Sequence, residues 1–192
     1  MIRSLPLRIA AAGLFLVAVL VVLVVSEDRA RAAGREVALP MEAFDPRELL
    51  TGHYVALQLT QRLDPGQACP TRTQPFGERG WLSLRAADGR FIGSGATRQA
   101  ALAAGGDLAV QGGVYCSRVM VDNVEANAVT LDVGVDRFHA DQEEAEAVEK
   151  VLRVRRGGRT VPAFAVISVG EDGRARLKGV ILDGKRTDLT WW

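Results

Sequence analysis

From Ile9 to Val25 the chain runs for seventeen residues with neither a charge nor a proline, and no other stretch limits its architecture as much. Leu5 to Leu7 extend the run across Arg8, whose long stem can carry its charge back to an interface. That is close to the ~20 residues needed to cross a bilayer. Arg3, Arg8 and the amino terminus lie on one side, whereas Glu27, Asp28, Arg29 and Arg31 cancel on the other. The asymmetry predicts a cytoplasmic N-terminus over residues 1–8, a membrane anchor over 9–25, a linker over 26–35 and an extracytoplasmic domain over 36–192. A cleaved signal peptide is the competing reading, since Ala30-Arg31-Ala32 has the small-x-small form of a cleavage site. An apolar core of that length is long for a signal peptide, where roughly 7 to 15 residues is usual, and it favours an uncleaved anchor.

The remaining length suits one domain. The chain carries 24 basic and 23 acidic residues, and with Arg3 and Arg8 set aside the balance is 22 to 23. Nothing in that balance points to nucleic acid or to an acidic lipid surface as a partner. Lys150, Lys178 and Lys185 are the only lysines, so lysine-dependent chemistry has three candidates.

Beyond a polar, alanine-rich tether, a linker or a frayed extension of the helix, the pattern changes to alternation. Val37, Leu39 and Met41 fall on one side of a strand, and Pro40 predicts that it lies at a sheet edge. Asp45 then has the position of a helix cap, with Pro46 first in the helix and Glu48 placed to reach back to the cap amide. Gly52 supplies a stop within a turn or two. Tyr54 to Leu63 reads as the next strand, with Val55, Leu57 and Leu59 on one face and Tyr54, Ala56 and Gln58 on the other.

The stretch from Phe44 to Leu59 resembles the bacterial GDYXXLXY family, named for its motif. Gly52, Tyr54 and Leu57 match the pattern, while His53 stands in place of the aspartate and Leu59 in place of the last tyrosine. The preceding Asp45-Pro46-Arg47-Glu48-Leu49-Leu50 and the C-terminal stretch look similar as well, and Gly134, Phe138 and Glu143 correspond loosely. The resemblance implies a membrane anchor feeding an outer domain, attached to the inner membrane by one pass. It also implies a multi-pass membrane protein as partner, without an established activity. Leu59 keeps an inward apolar side chain and loses only a phenol, so a packing role survives there. His53 remains compatible with a turn but removes a carboxylate.

From Asp64 to Gly80 the chain has turn residues and little periodicity, as in a long exposed loop. Asp88-Gly89, Glu171-Asp172-Gly173 and Asp183-Gly184 mark hairpin turns. Thr97 to Asp107 has the makings of one helical turn, and Leu108 to Asp122 and Ala128 to Phe138 read as strands. A main helix is expected from Asp141, acidic at its start and basic near its end at Lys150 and Arg153, with Gly157 or Gly158 as its stop. Its acidic run reads as a solvated helix face rather than a cation site. The two final tryptophans read as sheet cover. Cys69 and Cys116 are the only cysteines, and an oxidising compartment favours a disulfide between them over two separate thiols.

The search for chemistry assigns no catalytic residue, metal or cofactor. His53 and His139 lie apart without metal-ligand spacing. Gly93-Ser94-Gly95 lacks both the frame of a nucleophile elbow and the lysine of a phosphate loop. The expected fold is α+β: a single N-terminal transmembrane helix, then a mainly antiparallel, curled or barrel-like sheet with one main helix. Membrane lipid around the anchor and a multi-pass membrane protein are the expected partners. The expected role is a binding or scaffold subunit, and the alternative is a membrane-anchored envelope hydrolase or peptidase-like enzyme.

Overall fold

The computed structural model describes residues 5–43, 54–64, 69–70, 80–121, 124–135, 137–139, 155–156, 159–160 and 162–189. Its first element, α1 (Leu5–Ala33), is one unbroken helix. The span Leu7–Ala33, 27 residues, is long and apolar enough to cross a membrane, and its most apolar stretch makes no buried contact with the domain. The polar segment from Ser26 to Arg35, expected as a linker or a frayed extension of the helix, is helix as far as Ala33 and strand from Arg35. Tertiary contacts support this helical end, because α1 packs on β-strands of the domain.

Those strands are β1 (Arg35–Ala43), β2 (Tyr54–Arg62), β3 (Gly80–Arg85), β4 (Arg90–Gly95), β5 (Leu108–Val121), β6 (Val124–Asp132) and β7 (Arg137–His139). They continue as β8 (Arg155–Arg156), β9 (Arg159–Thr160), β10 (Ala163–Val169), β11 (Ala175–Leu182) and β12 (Lys185–Asp188), with a short helix α2 (Arg98–Leu102) between β4 and β5. Ten strands form one sheet in the order β12-β11-β10-β1-β2-β6-β5-β3-β4, with β7 also paired to β2. All of its pairings are antiparallel. The architecture is therefore the expected α+β, mainly antiparallel one, and among the described residues the sheet does not close into a barrel.

Three hairpins follow their turn signals: β3–β4 around Asp88-Gly89, β10–β11 around Asp172-Gly173 and β11–β12 around Asp183-Gly184. The alternation in β1 is realised, with Val37, Leu39 and Met41 all buried. Its predicted place at a sheet edge is not, because β1 lies between β10 and β2. The two ladders differ in length, however. Residues 35–41 pair with β10, whereas only Glu42 and Ala43 pair with β2. Beside Pro40 one side of β1 is thus unpaired, and a missing amide donor there breaks no ladder bond.

A single core joins both halves of the sheet: Leu39, Ile167 and Val180 from one, Leu59, Leu82, Leu84, Val110 and Val129 from the other. The outer strands are protected in different ways. Across β4 lies α2, so close that a Cβ on Gly95 would sit 2.6 Å from the Ala101 amide nitrogen. Gly93 and Gly95 thereby find a packing reason. At the other edge, β12 carries Lys185, Arg186 and Asp188, and charges on an edge strand discourage pairing with another chain. Thr97 caps α2 by accepting a hydrogen bond from the Ala100 amide at 3.2 Å.

The expected cap at Asp45 and Glu48, the loop from Pro65 to Ala68 and from Thr71 to Arg79, the helix expected from Asp141, and the two final tryptophans lie outside the described residues. Arg155 and Arg156 do not continue that helix to its expected stop, since they pair with Arg159 and Thr160 as a small hairpin.

Candidate functional site

Three places bring polar or reactive groups together: the motif end of β2, the disulfide, and the junction of α1 with the sheet. At the first, Gly52 and His53 lie outside the described residues, and Tyr54 opens β2. Tyr54 is the register partner of His139, Val55 of Phe138 and Ala56 of Arg137. The backbone register thus sets the motif tyrosine opposite His139, although 85 positions separate them. Leu57 pairs with Ala43, and Leu59 is buried in the core at 1% exposure. Leu59 serves packing, and the first residues of β2 are where β7 meets it.

Further along β2, Gln61 occupies an inward position between Leu59 and Leu63, and all three are buried. Its amide nitrogen donates to the Gly89 carbonyl at 2.7 Å, and its carbonyl accepts from the Phe91 amide at 2.8 Å. One side chain thus satisfies two backbone groups of the β3–β4 hairpin and ties it to β2. Asp64 pairs with Arg90 beside it. A polar residue at an inward position of an otherwise leucine-lined strand was the available signal for this link.

Cys69 and Cys116 form a disulfide, with their Cα atoms 5.7 Å apart. It ties the segment between β2 and β3 to the middle of β5, across a separation of 47 residues. Cys116 packs against the core beside Val114. Among the described residues, no three His, Cys, Asp or Glu side chains stand together as a metal site.

The junction is the most densely bonded of the three. Arg31, in the last turn of α1, is 8% exposed and donates to the Lys178 carbonyl at 3.1 Å and the Leu189 carbonyl at 2.9 Å. One turn earlier, Glu27 pairs with Arg176, which also pairs with Asp172 at 3.0 Å. Asp172 and then Glu27 push the Arg176 guanidinium up from its ordinary value, and Arg176 holds the Asp172 carboxyl below the usual range. At the start of β1, Glu36 is held low by Lys178 and then Arg186, and Arg186 also bonds Asp188 at 2.7 Å. Between helix and strand stands Gly34, where a Cβ would meet the Ser168 hydroxyl at 2.2 Å and the Val169 carbonyl at 2.9 Å. The glutamate-to-arginine spacing of four residues in a stretch without apolar period was the only sequence trace of this junction.

Taken together, these features define an antiparallel β domain with a long apolar N-terminal helix docked on it by its polar end. The sequence matches the family described as GDYXXLXY protein over residues 16–180, and the chain belongs to that family. Neither a curated protein nor a solved structure matches it.

Proposed function

We propose that this protein is a single-pass subunit of the bacterial inner membrane. Its N-terminus would be cytoplasmic, its β domain extracytoplasmic, and its task to bind or scaffold a multi-pass membrane protein. The observation that carries the reading is the division of α1 into two parts. The apolar stretch lies outside the domain with its side chains exposed, Leu14 at 71% and Val22 at 65%, while the polar end is absorbed into the domain. A domain that already has its own core does not need that apolar surface, and lipid or other membrane helices are what can cover it. Arg3 and Arg8, on the N-terminal side of the apolar run from Ile9, support that orientation, and the disulfide suits an oxidising compartment.

Purification of the full chain from membranes in mild detergent tests the reading. A multi-pass protein present in constant stoichiometry is the expected result. Recovery of the chain alone from cells expressing it at native level, or its release from membranes by alkaline carbonate, would overturn it.

A further inference from the structure

The end of α1 is attached to the β domain by more than the chain. Arg31 is buried, and one nitrogen of its guanidinium, Nη2, donates to two backbone carbonyls, Lys178 in β11 and Leu189 just beyond β12. The same two strands are joined at this level by the Leu189 amide donating to the Lys178 carbonyl at 2.8 Å. The arginine therefore closes a three-part knot of helix, β11 and the segment after β12. Two carbonyl acceptors on one terminal nitrogen hold the tip of the buried side chain in place. One turn away, Glu27 reaches Arg176, whose side chain is 10% exposed and is held from the other side by Asp172 of the β10–β11 turn. Two attachments one helical turn apart resist both tilt and rotation of the helix axis, which a single attachment would not. The third fixed point is Gly34, where the backbone lies against Val169 too closely for any side chain.

From this geometry we infer that α1 and the β domain form one stiff body, so that the direction of the helix in the membrane sets the direction in which the domain faces. A partner that tilts or turns the helix turns the domain with it. The unit works as a lever whose fulcrum is Arg31. The inference rests on α1 lying in a membrane, as proposed above, but it requires no partner.

Paired spin labels on the full chain in lipid nanodiscs measure this directly. One label replaces Val22 and the other Lys185, and a control pair at Ala103 and Lys185 lies within the domain. The wild-type background should give one narrow helix-to-domain distance with no partner present. Arg31→Gln should at least double its width while the control pair stays narrow. A broad distribution in the wild-type background, or an unchanged width in Arg31→Gln, overturns the inference. Should the control pair also broaden in Arg31→Gln, the decision passes to Glu27→Ala, which removes the attachment to Arg176 and leaves Arg31 in place. Broadening of the helix-to-domain pair there supports the lever, and an unchanged width overturns it. Carbonate extraction of the same chains separates this outcome from failure of the membrane reading, because a chain that stays in the membrane with a broad distance defeats only the lever.

Discussion

Gln61 and Gly89 are joined across the unpaired flank of β1, side-chain amide to backbone carbonyl at 2.7 Å. The same carboxamide accepts from the Phe91 amide, so the β3–β4 hairpin is held against β2 where no ladder connects them. Replacing Gln61 with leucine keeps the volume and strands two buried backbone groups, each worth about 1–3 kcal/mol when left unsatisfied. Gln61→Leu should therefore lower the unfolding free energy by about 3 kcal/mol. Urea unfolding of the detergent-solubilised chain measures it, and a loss below about half a kilocalorie per mole would show that the link is not structural.

Gly89 itself has φ +68°, and a Cβ there would sit 2.0 Å from the Ala38 carbonyl oxygen. Strain and collision add at this position. Gly113, in β5, is the opposite case, since a Cβ added there would meet no atom within 4 Å. Gly89→Ala should cost at least about 2 kcal/mol, and Gly113→Ala should be neutral or slightly stabilising. Equal effects in a thermal-shift comparison would contradict the closeness of the hairpin to β1.

The disulfide closes a long loop, and constraint of the unfolded chain over that separation is worth on the order of 4 kcal/mol. The double variant Cys69→Ser with Cys116→Ser should unfold at clearly lower denaturant than the oxidised parent. Reduction of the parent should reproduce the shift. If neither treatment moves the midpoint, the segment between β2 and β3 is held by other means.

Acid should weaken the junction. Glu36 and Asp172 are both held below the usual carboxylate range by cationic partners, chiefly Lys178 and Arg176 respectively. A carboxylate with a depressed folded-state pKa contributes stability above its unfolded value, about 4, and loses it as pH falls through the folded one. Stability should therefore hold from pH 7 to about 5 and fall below about 4, less steeply in Glu36→Gln. Because these side chains are partly solvated, each pair is worth at most about 1 kcal/mol, and salt should shrink the difference. An acid limb identical in Glu36→Gln and the parent would remove Glu36 from the account.

Tyr54 is the motif residue to test for partner contact, because it opens β2 opposite His139 of β7, five residues before the buried Leu59. Tyr54→Phe should leave the unfolding midpoint unchanged and reduce recovery of the membrane partner. Undiminished recovery would show that the phenol takes no part.

Much of the sheet was legible because its strands alternate and its turns carry Asp-Gly. The burial of Val37, Leu39 and Met41 follows directly from the period of two in β1. Strand order was another matter. Pro40 suggests an edge locally, yet β1 is placed by β10, more than a hundred residues later, and a pairing of that range leaves no local trace. The candidate places divide in the same way. Cys69 and Cys116 could be joined from composition and compartment alone. The Gln61 bridge was half-visible, as a polar residue on an apolar face. The register that sets Tyr54 opposite His139, and the burial of Arg31, depend on segments far apart in the chain and could not be read from either one.

The joint between α1 and β1 is a single residue long, and Gly34 has no spare room. A helix advances about 100° per residue, so one inserted or deleted residue before Gly34 would carry Arg31 to another side of the helix. The exchangeable property of the apolar helix is thus its composition, and its phase is not. A chimera that swaps in a foreign membrane segment keeps a correctly aimed domain only if the residue count from Glu27 to Arg35 is preserved.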